Sequence, residues 1–333
     1  VTTARKLTPA PEPRQTVWRA DELMAASFPP PVWAVPNIIA EGVNVLAGPP
    51  KAGKSWLALS LGLSVASGGR AFGNIDVEAG SVLYLALEDT PRRLQERMGG
   101  LLQGGSAPAG LTLDLQCPAL PTGGVEQIVD WIEHHPDARM VIIDVFAKVR
   151  GNAAPSVQAY DADYAAVSRV KRIADEYGIA VVLLHHVRKA AAEDFLAEVS
   201  GTHGIAGAAD GVLVLKRPRG EAVGALHVTG RDIQETDYAL SFDDDTGAWT
   251  MLDGPAHEHF LRDTRSRVAQ YVRRNPGVGP RQIAEALDLK EATTRSTCRR
   301  MAEDEQLRAA AGKYYPRDNP DEATAATLQL HTD

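Results

Sequence analysis

Residues 48–55 read Gly-Pro-Pro-Lys-Ala-Gly-Lys-Ser and follow the apolar run Gly42-Val43-Asn44-Val45-Leu46-Ala47. A Gly-x-x-x-x-Gly-Lys-Ser turn between a strand and a helix is a phosphate-binding arrangement. Gly48 and Gly53 let the backbone curl so that successive N–H groups point inward. A helix opening near Lys54 adds its positive dipole end. Lys54 is expected to reach terminal phosphates, and the Ser55 hydroxyl to ligate Mg²⁺. The nucleotide contacts expected of the turn run from Gly48 through Pro49, Pro50, Lys51, Ala52, Gly53, Lys54 and Ser55 to Trp56; Lys51 fits either a phosphate contact or a solvated lysine.

Such a site also needs carboxylates. Asp144 closes the apolar run Met-Val-Ile-Ile, where a buried strand delivers one acid to hold Mg²⁺ through water. Glu88 and Asp89 end Ser-Val-Leu-Tyr-Leu-Ala-Leu. A glutamate there can polarise an attacking water. The shorter Asp89 suits helix capping, so Glu88 is the candidate base. His185 and His186 follow Val-Val-Leu-Leu, at the sheet edge where ligands bind. His186 is a candidate for sensing the terminal phosphate and relaying its loss to residues 187–209; His185 fits a strand-end histidine. Adjacent strand residues face opposite ways, which argues against a shared metal.

The elements that must position these groups alternate. Strands are expected at 42–47, 81–87, 111–115, 140–145 and 179–184, with antiparallel neighbours at 212–215 and 225–229. Helices are expected at 55–66, 90–102 (Thr90 as cap, Pro91 first), 125–134 and 160–177. This alternation implies an α/β fold with a mostly parallel sheet covered on both faces. After Gly247-Ala248-Trp249 the pattern changes. Helices at 262–275, 280–287 and 291–304, then a hairpin at 307–316, predict a small winged-helix domain.

The sequence divides into a Pro-rich flexible segment (1–32), the large domain (33–255), the small domain (258–317) and an acidic disordered tail (318–333). The net charge of −8 argues against a protein whose whole surface coats nucleic acid. Residues 258–317 are the exception, with 13 Lys/Arg against 8 Asp/Glu. On the third helix region Lys290, Arg295, Arg299 and Arg300 could follow a duplex DNA groove, with Thr293, Thr294, Ser296 and Thr297 as short hydroxyl partners. Ile283, Leu287, Leu289, Cys298, Met301 and Leu307 supply the small core, and Lys313 and Tyr314 could approach the DNA backbone. No run is apolar enough for a membrane span. The polar start with Arg5 and Lys6, and only two distant cysteines, Cys117 and Cys298, lead us to expect a cytoplasmic protein.

The ordered set Gly-Pro-Pro-Lys-Ala-Gly-Lys-Ser, Leu-Ala-Leu-Glu-Asp, Val-Ile-Ile-Asp, Leu-Leu-His-His-Val-Arg-Lys and Gly-Ala-Ala-Asp-Gly-Val resembles the RepA-like hexameric helicases of plasmids, within the wider DnaB/RecA-type P-loop ATPases. The resemblance covers roughly residues 33–250. It implies a RecA-like fold, ATP with Mg²⁺, Glu88 as catalytic glutamate, His186 as sensor, and a homo-oligomeric ring, hexameric in the family's manner. A neighbouring subunit would then supply an arginine, for which Arg231, Arg217 and Arg219 are candidates. Residues 188–207 take the place of the family's loop facing single-stranded DNA, with Arg188, Lys189, Thr202 and His203 as phosphate contacts and Gly201, Gly204 and Gly207 as hinges. Two departures stand out. The loop carries Glu193, Asp194 and Glu198, and the simplest plasmid helicases have no appended winged helix. The function expected is a DNA-dependent ATPase, a helicase in replication or repair of a plasmid, phage or mobile element. The alternatives are an ATP-controlled DNA-binding regulator and, third, a P-loop small-molecule kinase, which would need an arginine-rich lid that is not evident.

Overall fold

A computed structural model describes residues 17–151, 159–187, 204–218, 221–254 and 256–317. The chain divides into two compact units, Val1–Asp253 and Gly254–Asp333. The first is built on a nine-stranded sheet. Its strands in chain order are β1 (Gly42–Gly48), β2 (Ser81–Ala86), β3 (Leu111–Asp114), β4 (Ala138–Asp144), β5 (Ala180–His186), β6 (Gly211–Lys216), β7 (Val223–Gly230), β8 (Thr236–Phe242) and β9 (Trp249–Met251). Across the sheet they lie in the order β9-β8-β7-β6-β1-β5-β4-β2-β3. From β3 to β6 every pairing is parallel; β6 to β9 is an antiparallel meander.

Among the described residues its longer helices are α1 (Lys54–Ser67), α2 (Pro91–Leu102), α3 (Gly124–Glu133) and α4 (Ala159–Tyr177). Side chains of a strand alternate between faces, and the buried residues separate accordingly. Leu46, Val82, Tyr84, Ile142, Val182 and Leu184 pack with Leu57, Leu61 and Leu94 of α1 and α2. Val45, Leu83, Leu85, Val141, Ile143, Val181 and Leu183 pack with Ile128, Ile132, Val167 and Val170 of α3 and α4. Both faces are therefore dry, which explains the near-continuous apolar strands. The same parity decides where the strand-end residues go. Tyr84, Asp144 and His186 share the α1 face, whereas His185 belongs to the α4 face.

The segment before the sheet departs from expectation. Its described part, from residue 17, includes a short helix, Ala20–Ala25, rather than only extended chain. The Glu22 carboxylate accepts the Arg19 backbone N–H at 3.3 Å, and Arg19 pairs with Asp21, so local polar contacts hold a turn that buries no residue. Residues 1–16 and the acidic tail 318–333 lie outside the described residues.

The second unit comprises α5 (Ala256–Arg274), α6 (Pro280–Leu287), α7 (Glu291–Glu303) and the hairpin β10 (Leu307–Ala310) with β11 (Lys313–Pro316). Its core is Val268, Val272, Ile283, Cys298, Met301, Leu307 and Tyr314. Tyr314 is thus a core side chain and not a DNA-backbone contact, because strand alternation turns it inward beside the exposed Lys313. Ile283→Ala, at a fully buried position, is expected to cost this unit roughly 2–5 kcal/mol. Calorimetric melting of the full chain should show that loss in one transition, with the sheet unit's transition unmoved.

Candidate functional site

The phosphate turn sits where β1 hands over to α1. Gly53 precedes the helix with φ +102°, and a Cβ there would meet the Trp249 ring at 2.9 Å, so only glycine fits. The Trp249 Nε1–H in turn donates to the Gly53 carbonyl at 3.2 Å. Pro50 and Lys51 are exposed, while Ala52 is buried in the apolar core and turns its methyl away from any ligand.

Lys54 is the first residue of α1 and is only 4% exposed. Its ammonium donates to the carbonyls of Gly48 at 2.8 Å and Pro49 at 3.0 Å, and lies 3.1 Å from His186 Nδ1. Burial lowers its pKa to about 8, against an opposing pull from the Asp144 carboxylate. His186 also sits below its ordinary value, through burial first and then the adjacent Lys54 charge. A neutral imidazole can accept the Lys54 proton; an imidazolium could not. His185, on the other face, is likewise pushed down by burial, with the Asp163 carboxylate opposing and the His186 and Lys54 charges adding to the shift.

Asp144 closes β4 at 5% exposure. Burial raises its pKa, while hydrogen bonds from Tyr84 and Ser55 hold it down. The Tyr84 phenol is fully buried and donates to Asp144 Oδ2 at 2.8 Å. Sequence reading passed over Tyr84; its signal was a tyrosine inside an otherwise aliphatic strand, whose hydroxyl must find a partner when buried.

Glu88 lies just beyond β2 and is exposed, and its charge reaches His186. Asp89 does not cap α2. The Thr90 hydroxyl does, accepting the Arg93 N–H at 3.3 Å, while the Asp89 carboxylate is engaged by Arg93 at 2.9 Å and by Arg97. Two guanidiniums claim the shorter acid and leave Glu88 as the exposed acid whose charge acts on His186.

These groups border an open cleft of about 480 Å³ lined by Lys51, Gly53, Lys54, Ser55, Trp56, Arg97, Asp144, His186, Arg217, Phe242 and Asp244. No group of three or more His, Cys, Asp or Glu able to hold a metal exists among the described residues. One hydroxyl and one carboxylate suit Mg²⁺, which keeps waters and takes its remaining ligands from substrate phosphates. Ser55 and Asp144 would hold it, and it would neutralise phosphate charge there.

Arg231 is not part of this cleft. It follows β7 at the opposite end of the sheet, where it donates to Asp210 Oδ1 at 3.1 Å. Asp210 also takes Lys171 at 2.7 Å and the Val43 N–H at 2.9 Å. Val43 and Gly48 are five residues apart on β1, about 17 Å. Arg188, Lys189, Gly201, Thr202, His203 and Arg219 lie outside the described residues; Gly204 and Gly207 stand on the short helix Gly204–Ala208.

A glycine-lined turn at a helix N-terminus, a buried lysine and a strand-end aspartate on a mostly parallel sheet define a RecA-like P-loop ATPase fold. A model of the AAA domain family matches residues 8–192. The chain belongs to that family. Among solved structures it is similar to one described as an ATPase domain, with a TM-score of 0.51 and 14% identity over 64% of this chain and 85% of that one. It is equally similar to a DnaB-like replicative helicase described with its interactions with primase, with a TM-score of 0.51 and 15% identity. There the match covers 64% of this chain and 59% of that one, so the chain spans only part of that helicase's length. No helix among the described residues is long and apolar enough to cross a membrane.

Two outcomes are expected. Tyr84→Phe leaves Asp144 without its buried donor, and half-saturation of nucleotide binding should need about tenfold more Mg²⁺; an unchanged magnesium titration would remove Tyr84 from the site. Lys54 is charged below its pKa of about 8 and neutral above it. Affinity for inorganic tripolyphosphate, measured by calorimetry, should therefore fall as pH rises from 7 to 9, about ten times more steeply than in Lys54→Arg.

Proposed function

We propose that the protein is an ATP-hydrolysing motor of the replicative-helicase type, working as a homo-oligomeric ring on single-stranded DNA. The observation that carries this reading is the convergence of Lys54, Ser55, Asp144, His186 and Glu88 at one end of the parallel strands. Glu88 orients the attacking water, and Ser55 and Asp144 hold Mg²⁺ against the triphosphate. His186 contacts Lys54 and stands just before the loop, so in this reading it passes phosphate loss on to residues 188–207, which face single-stranded DNA. Arg231 pairs with Asp210 about 17 Å along the sheet from its own phosphate turn and does not serve that turn's nucleotide, so a role toward a neighbour's rests on the family resemblance. The ring, the hexamer and the plasmid, phage or mobile-element setting rest on the family resemblance.

For the second unit we read a winged helix that contacts duplex DNA. Arg295, Arg299 and Arg300 are exposed on α7, and Lys290 precedes it. Thr293 and Ser296 share that face. Thr294 and Thr297 do not, being buried beneath it, so these two hydroxyls are core groups and not DNA partners. Arg295 and Arg299 pair with Glu291 and Glu303 at helical spacing, which trims the available positive charge. The basic face favours one second reading, a DNA-binding regulator whose assembly ATP controls.

ATP turnover measured with no DNA, with single strands and with duplex, beside strand displacement, separates these readings. Stimulation by single strands together with unwinding supports the motor; site-specific duplex binding without unwinding supports the regulator. Glu88→Gln should bind ATP normally and hydrolyse it roughly 100-fold or more slowly. A near-normal rate would take Glu88 out of the reaction.

A further inference from the structure

Tyr160 and Tyr164 stand one helical turn apart near the start of α4. They are 44% and 46% exposed, and beyond Val32 they are the only large apolar side chains exposed among the described residues. Their rings lie nearly parallel, with 18° between the planes and 6.2 Å between the centroids. The helix accounts for the pairing, since positions i and i+4 share one face. It does not account for the exposure. Other tyrosines of this unit are engaged: Tyr84 is buried on Asp144, and Tyr177, at the far end of α4, donates to Glu133 at 3.0 Å.

Two stretches of chain come against the turn that carries the pair. The first follows β4 through a short 3-10 turn, Phe146–Lys148, to Arg150, whose guanidinium donates to the Asp163 carboxylate on α4. The second belongs to the chain that follows β5. Its helix Gly204–Ala208 packs on α4, and a Cβ on Gly204 would stand 2.6 Å from the Tyr160 carbonyl oxygen and 3.3 Å from the Tyr164 nitrogen. Only glycine lets the backbone approach so closely. The strands ending in Asp144 and His186 therefore both lead to chain that abuts the two tyrosines.

Charge at this surface is modest. Lys148 and Arg150 are exposed, Asp163 is buried behind Arg150, and Asp161 is an exposed acid one residue on from Tyr160. A small cationic excess tolerates phosphates without holding them, so a ligand here must gain its affinity from the ring faces. Single-stranded nucleic acid is bound in this way, by bases stacked on aromatic side chains beside cations. The spacing also favours a single strand. Nucleotides in a duplex strand rise about 3.4 Å each, and rings 6.2 Å apart suit bases that have come off one another.

We propose that Tyr160 and Tyr164 form a stacking platform for two bases of single-stranded DNA. This rests on the single-strand reading given above and assigns the grip on bases to α4, outside the loop expected to contact phosphates. The competing role for an exposed aromatic pair is a contact with a neighbouring subunit. The two roles differ in what they ask of a ligand: only a platform distinguishes a strand with bases from one without.

The test is fluorescence-anisotropy titration of the full chain, with Mg²⁺ and ATP, against a labelled thymidine oligonucleotide and an abasic oligonucleotide of equal length. Wild type, Tyr160→Ala, Tyr164→Ala and the two phenylalanine variants are compared, with melting curves to confirm folding and light scattering to follow oligomer size. Each alanine variant is expected to bind the thymidine strand about tenfold more weakly, with both phenylalanine variants close to wild type. Abasic binding and oligomer size should not change. Equal losses for the two oligonucleotides would make the pair a backbone contact and overturn the platform, as would unaltered thymidine binding in both alanine variants. Smaller oligomers in the alanine variants would make it a subunit contact and overturn it too. A wild type that bound neither oligonucleotide would sink the single-strand reading, and the platform with it.

Discussion

The ammonium of Lys54, taken out of water and surrounded by two backbone carbonyls and an imidazole, is the constraint around which the large unit is arranged. Burying a cation is costly unless strong acceptors meet it. Here the acceptors come from the end of β1 and the end of β5, so β1, β5 and α1 must keep their relative positions for the charge to be tolerated. A phosphate is a better partner for that charge than a neutral imidazole. The same three acceptors therefore hold the lysine in place and would yield to an anion.

Parity along the strands organises what surrounds this charge. Each parallel strand is apolar on both faces, and its final residues fall alternately above and below the sheet. Tyr84, Asp144 and His186 come from three strands and share the side bearing α1, so the strand ends alone bring an acid, its phenol donor and an imidazole to one side of the sheet. Asp89 shows the complementary device. Its two arginine partners take up the carboxylate, and one of them, Arg97, lies over the Trp56 ring at 5.5 Å.

Much of this was legible in the residues themselves. The strand-turn-helix text around Lys54 and the acid closing Met-Val-Ile-Ile carried enough physics to place both, because a buried strand with one terminal carboxylate has few other uses. The helices of the second unit were legible from Pro280 and the apolar spacing that follows. Other features depended on contacts that no local pattern encodes. β8 was missed because Thr236–Phe242 is half polar and pairs only with neighbouring strands. Asp89 looked like a cap until Arg97, eight residues on, claimed it. Thr294 and Thr297 read as surface hydroxyls, yet a small three-helix core needs every inward position of α7, and threonine is apolar enough to fill them. Arg217 could be assigned to a cleft only once the meander had brought Phe242 beneath it.

Two of the chain's five tryptophans, Trp56 and Trp249, stand beside the phosphate turn, one in the wall of the cleft and one bonded to the Gly53 carbonyl. The indole ring emits light whose colour and intensity follow the fields and quenchers around it. Charge arriving at Lys54 would change those fields, since Trp56 lines the same cleft and Trp249 bonds to the residue before the lysine. The molecule consequently carries an intrinsic optical gauge of its own occupancy, readable without any attached dye and on the timescale of a mixing experiment.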